Sequence, residues 1–207
     1  MSINNKIIKE DIVLTALDGS YSYTEYRALV AQLATEEKST GPQQTEALAN
    51  YTQLNDRRMR RWDKTLKFND EAIAKITAVT KKTTWTVLTE SWCGDASPAL
   101  PVMYKITELN PNIELRIVLR DENIDLMNQF LTNGGMSIPK LIQQDDATKE
   151  LTGDWGPRSK NATKLVTAYK AAHGSLTAEF KQDLQVWYNK DKGQSILTDL
   201  LALLPLE

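Results

Sequence analysis

One side chain in this sequence can act as a nucleophile through its sulfur: Cys93, the single cysteine among 207 residues. It stands in the run Glu90-Ser91-Trp92-Cys93-Gly94-Asp95-Ala96, after six β-branched or aromatic-rich residues (84–89) and before a helical stretch carrying Leu100, Val102, Met103, Ile106 and Leu109. A cysteine between a strand and the first turn of a helix faces unpaired backbone N–H groups and the positive end of the helix dipole, both of which favour a thiolate. Thiols in that setting titrate at about 3.5 to 7.5. The spacing therefore predicts a lowered thiol pKa, with Asp95 pulling the other way if it stays charged. The competing reading of a lone cysteine is an inert, buried small hydrophobe. Glu90 lies close enough in sequence to be considered for proton transfer, although a solvated loop carboxylate is the stronger reading. Trp92 reads as an apolar contact surface beside the thiol.

The elements that would hold these residues can be read from periodicity. Apolar residues at three and four spacing give helices over about 22–37 (Tyr26, Leu29, Val30, Leu33), 47–62 and 69–79. The first of these is broken by Gly41-Pro42. Residues 84–89 read as a buried strand, 113–119 as a strand buried mainly on one face, and 123–131 as a helix stopped by Asn133-Gly134-Gly135. A hairpin of 138–143 and 149–155 follows, ended by Gly156-Pro157, then a helix over 159–172 and two more over 177–188 and 194–204. The summed order is three helices, then β-α-β-α-β-β-α, then two helices. The first fourteen residues read as an alternating apolar stretch interrupted by charges.

At this point the residues carry a resemblance. The segment 84–101, with Trp92-Cys93-Gly94-Asp95-Ala96, resembles the active-site strand, loop and helix of the thioredoxin-like superfamily, and is most similar to a bacterial group whose motif is Trp-Cys-Gly-Asp-Cys. Pro101 falls at that family's helix kink, Ile138-Pro139 at its cis-proline, and Gly156 at the end of its hairpin; Trp155-Gly156-Pro157-Arg158 resembles a signature of the same group. The resemblance implies an α/β fold, a thioredoxin-like core with a central mixed sheet flanked by helices. It implies one domain over 1–207, with the core at about 84–172 and helical extensions at about 20–80 and 175–205. It also implies a site in which Cys93 is the catalytic thiol, Trp92, Gly94, Asp95 and Ala96 complete the motif, and Trp92, Ile138 and Pro139 form an edge where an extended peptide docks. A cis bond before Pro139 would turn the backbone of Ile138 toward Cys93.

Two departures from the family shape the functional expectation. Ala96 stands where the family has its resolving cysteine, and a methyl group cannot attack a mixed disulfide. Val87 stands where many thioredoxins carry a buried carboxylate that serves the second thiol, so the two departures agree. The expected function is thus thiol-disulfide chemistry through one cysteine, with mixed-disulfide formation and slow release by an external thiol. The alternative is a catalytically retired thioredoxin-fold module that binds peptide or protein. A third reading, an iron-sulfur cluster shared between two monothiol chains, lacks the Phe and Ser of the glutaredoxin motif and ranks last. No cofactor is expected. The expected partner is a disulfide- or thiol-bearing protein or a low-molecular-weight thiol.

Composition excludes other classes. Lys and Arg number 25 against 27 Asp and Glu, a net charge of −2, too balanced to drive nucleic-acid or anionic-membrane binding. One histidine, His173, leaves a protein-only zinc site without ligands, and one cysteine leaves no intramolecular disulfide. No apolar run approaches a membrane span, and the N-terminal segment lacks the pattern of a secretory leader, so a cytoplasmic location is expected. The basic run Arg57-Arg58-Met59-Arg60-Arg61, flanked by Asp56 and Asp63, reads as a solvated helix end, and His173-Gly174 as a helix C-terminus.

Overall fold

A computed structural model describes the backbone of residues 3–205 and the side chains of residues 9–205. Four helices come first: α1 (Ile3–Leu17), α2 (Tyr23–Thr35), α3 (Glu46–Thr65) and α4 (Asp70–Thr77). Then follow β1 (Thr83–Thr89), α5 (Ala96–Leu109), β2 (Ile113–Leu119), a 3-10 turn at Arg120–Glu122, α6 (Ile124–Gln129), β3 (Lys140–Asp145), β4 (Leu151–Trp155), α7 (Lys160–His173), α8 (Ala178–Asp191) and α9 (Gln194–Leu201).

The four strands form one mixed sheet in the order β2-β1-β3-β4. β1 is an interior strand, parallel to β2 and antiparallel to β3, with Val87 opposite Ile117 on one side and Leu141 on the other. All seven of its residues are buried. That suits a run of Thr, Trp, Val and Leu, whose branched and aromatic side chains pack well on a pleated surface covered on both faces. The Trp85 indole donates to Gln143 Oε1 at 2.8 Å, which satisfies the one polar atom of the largest fully buried side chain. β3 and β4 run antiparallel, with a bulge between Gln143 and Gln144.

The helices stop and start where the sequence supplies caps. Ser22 and Glu25 make a reciprocal capping box at α2, and Thr45, Asn69, Ser159 and Thr177 cap α3, α4, α7 and α8 by accepting backbone N–H bonds. α7 ends at His173, with Gly174 at φ +77°.

Helix α1 departs from the expected order, since the opening residues were read as an alternating stretch. Among its described side chains Val13 and Ala16, three residues apart, are buried, and Lys9 Nζ donates to the carbonyl of Gln129 at the end of α6. Packing against a distant element, rather than a strong local stripe, holds this helix. Met1 and Ser2 lie outside the described residues. Among the described residues no helix is long and apolar enough to cross a membrane.

Candidate functional site

The loop joining β1 to α5 carries Trp92, Cys93, Gly94 and Asp95, and its shape is set by a buried polar network behind it. Glu90 is fully buried. Its carboxylate accepts from the Thr40 hydroxyl and, at 2.9 Å, from the Asp121 amide. Burial pushes its pKa up, while these two donors hold it down. Ser91 is tied to Thr40 and Thr52, and its carbonyl accepts from Asn55 Nδ2 at 2.9 Å. The expectation of a solvated Glu90 is therefore corrected: its oxygens are spent anchoring the 40–41 turn and the start of the 3-10 turn. The reason is long-range, because Thr40 and Asp121 lie 50 and 31 residues away.

Cys93 sits in front of this network with 7% of its surface exposed. Its Sγ donates to the carbonyl of Ile138 at 3.2 Å. The backbone amides of Asp95 and Ala96 point at the sulfur and favour a thiolate, as expected of a helix start, and Arg158 does so too. Burial outweighs them, the Asp95 charge adds to it, and the thiol pKa is pushed up to about 12. The expected lowering is thus reversed. The local geometry is as the sequence suggests, but the walls raised by distant helices remove the water that a thiolate needs.

Asp95 is itself largely buried, which raises its pKa, against the pull of its neighbours. Its carboxylate accepts from Arg158 Nη2 at 2.6 Å and from the Tyr188 hydroxyl at 3.0 Å. Gln185 Nε2 donates to the Gly94 carbonyl at 3.1 Å. Two residues of α8 thus clasp the loop, although they are more than 90 residues from it. On the opposite side α3 presents Ala47, Tyr51, Leu54 and Arg58, spaced so that they share one face. Between α3 and α8, with the Cys93 loop as its floor, lies a groove of about 630 Å³.

Trp92 is half-buried, lines this groove and carries the Arg120 guanidinium over its ring at 4.9 Å. Ile138 also lines it. Pro139 follows a cis peptide bond, as does Pro157. The backbone of Ile138 is turned toward Cys93, its carbonyl engaged by the thiol; Ile138 is 7% exposed, and Pro139 is buried and does not line the groove. Gly156 packs against this segment at φ +122°, where a Cβ would lie 2.1 Å from the Pro139 carbonyl oxygen, so only glycine fits. Ala96 and Val87 are both buried, at the head of α5 and in mid-β1.

A family model described as thioredoxin matches residues 41–170, a span that contains the four strands, the Cys93 loop at the head of α5 and the cis bond before Pro139. The chain belongs to the thioredoxin family. Among solved structures this thioredoxin-family chain is similar to an HIV epitope-scaffold, at 18% identity over 88% of this chain and 97% of that one, with a TM-score of 0.56. It is also similar to a protein of unknown function from Pseudomonas aeruginosa, at 19% identity over 88% of this chain and 96% of that one, with a TM-score of 0.52. These likenesses speak to the fold. No curated protein matches the chain.

Sequence reasoning missed Arg58, Gln185 and Tyr188. Arg58 belongs to the basic run read as a solvated helix end; Arg57, Arg60 and Arg61 are exposed, but Arg58 is half-buried and turned to the groove. The signal available in sequence was its spacing from Leu54 and Tyr51, which puts it on their face. Nothing local marks Gln185 or Tyr188. Among the described residues no cluster of His, Cys, Asp and Glu could hold a metal ion.

Proposed function

We propose that this chain is a thioredoxin-fold binding module whose ligand occupies the groove over Cys93, with the thiol serving as a neutral hydrogen-bond donor in the floor. What carries the reading is the bond from Cys93 Sγ to the Ile138 carbonyl. A donor thiol is a protonated thiol, and it occupies the carbonyl that an incoming peptide strand would otherwise use. The absence of a resolving thiol at Ala96 supports the same reading, since a trapped partner would have no intramolecular route of release. Contact residues under this reading are Trp92 and Ile138, with the walls of α3 and α8.

A second reading, single-cysteine exchange with an external thiol, is favoured by one observation. The amides of Asp95 and Ala96 are aimed at the sulfur, so a thiolate would be stabilised if partner binding drew α8 aside. The chemistry would then be attack of the Cys93 sulfur on a disulfide, expulsion of one partner thiolate, and release by an external thiol that takes the partner sulfur and returns the Cys93 thiol.

Dithiothreitol-driven reduction of insulin separates the two. A binding module should not raise the rate above the reagent alone, with or without Ala96→Cys, because its buried neutral thiol does not open the disulfide; single-cysteine exchange should give slow turnover that Ala96→Cys raises several-fold by adding intramolecular resolution. Clear turnover by the unaltered chain would overturn the module reading.

A further inference from the structure

Resting on the binding-module reading, the groove also says what kind of ligand it suits. Its walls are apolar along most of their length, from Leu48, Tyr51 and Leu54 on α3 to Leu184 on α8. Three cations and one carboxylate lie among its lining residues, in a chain whose overall charge is negative. The carboxylate, Asp95, is already paired with Arg158. That leaves Arg58 and the rim residue Lys181 in excess.

Arg58 is the informative one. It forms no ion pair among the described residues; its Nη1 donates to the neutral Asn55 Oδ1 at 3.1 Å. Burial disfavours its charge and lowers its pKa; the Asp95 carboxylate, near enough to be felt but not in an ion pair with it, offsets this only in part. Its Nη1 lies 3.9 Å from where a Cβ on Gly94 would stand, so the guanidinium reaches the loop beside Cys93. On the facing side Arg158 Nε is buried without a hydrogen-bond partner. An under-compensated guanidinium in an apolar groove is stabilised by an anion that brings its own oxygens and an apolar body to cover the walls. The volume is that of small-ligand sites rather than of a protein interface.

We infer that the groove binds a small amphipathic carboxylate, with the carboxylate on Arg58 and the apolar part against Tyr51, Leu54 and Leu184. No covalent step is involved. Lys181 at the rim adds attraction without a fixed contact.

The test uses the full chain and two probes that differ only at the head group, 4-phenylbutyrate and 4-phenylbutan-1-ol, titrated while the amide resonances of Gly94, Asp95 and Ala96 are followed. The carboxylate should bind about tenfold tighter than the alcohol or better, as expected of a charge-assisted pair, and shift those three amides. Arg58→Gln should bring the two probes within about twofold of one another. Arg57→Gln, on the exposed side of the same helix, should leave the preference intact. Equal binding of the two probes, binding of neither, shifts confined to other regions, or an equal loss in Arg57→Gln would each overturn the inference. If Arg58→Gln fails to fold, the comparison of the two probes on the unaltered chain still decides. Failure here with a silent thiol would remove this ligand class and leave the module reading standing. Insulin turnover with an intact carboxylate preference would do the reverse.

Discussion

Raising the pH in the presence of an alkylating reagent probes the central claim about Cys93. Its thiol is pushed up to about 12, first by burial and then by the charge of Asp95, against the amides of Ala96 and Asp95 and the Arg158 guanidinium. At pH 7 such a thiol is ionised to about one part in 10⁵, whereas a free cysteine titrating near 8.5 is about 3% thiolate. The thiolate is the reacting species, so iodoacetamide should modify folded Cys93 about three thousand times more slowly than a model thiol at pH 7, before any steric hindrance. Followed by mass spectrometry from pH 7 to 10, the rate should climb about tenfold per pH unit without a plateau. Unfolding in denaturant should restore ordinary reactivity. A plateau with a midpoint at or below about 8.5 would refute the argument, because it would mean that the helix start and Arg158 outweigh burial and the thiol is activated after all.

Asp95→Asn should lower that midpoint by removing a like charge, and should destabilise the fold by about 1 to 3 kcal/mol in denaturant melts, because Arg158 loses a largely buried partner. The folded thiol binds its proton more tightly than the unfolded one, so its contribution to stability is complete below about pH 8.5 and is lost as pH rises toward 12; unfolding free energy should fall by up to about 1.4 kcal/mol per pH unit from this group, and Cys93→Ala should flatten the curve between about pH 8.5 and 10, above which the buried Tyr23, Tyr26 and Tyr188, also shifted up, add a slope of the same sign. Gly156→Ala should cost about 3 kcal/mol or more, because the added Cβ meets the Pro139 carbonyl at 2.1 Å in a backbone region closed to L side chains; a melt unchanged within 1 kcal/mol would contradict the packing described. Glu90→Gln should cost about 1 to 2 kcal/mol, since one acceptor for the Thr40 hydroxyl or the Asp121 amide becomes a donor.

The alternation and periodicity between residues 84 and 172 were enough to order the strands and helices of the sheet region, because β1 is buried on both faces and α5 and α7 each carry a regular apolar stripe. Boundaries moved by a residue or two, as with β3, which begins at Lys140 rather than Ile138. What could not be read were features fixed by distant partners. Val13 and Ala16 make a helix of α1 only because a core surface waits for them. Glu90 looks like a loop carboxylate until Thr40 and Asp121 are brought to it. The Cys93 pKa has the same origin: the strand-to-helix junction was legible and supplies the two amides, but its sign is decided by burial in the folded chain, and Gln185 and Tyr188, which hold the loop, carry no local mark of their destination. Arg58 stood midway, since helical spacing placed it on the face of Tyr51 and Leu54 while its neighbours suggested solvent.

The clasp of α8 on the loop has a consequence for the order in which the molecule becomes competent. During synthesis α3 emerges first, the sheet and the Cys93 loop next, and the far wall of the groove last. Until Gln185 and Tyr188 arrive, the Gly94 carbonyl lacks its side-chain donor and Asp95 has Arg158 without the Tyr188 hydroxyl. The ligand groove would therefore not exist on the nascent chain before its last quarter has been made, and any ligand that needs both walls could bind only to the finished molecule.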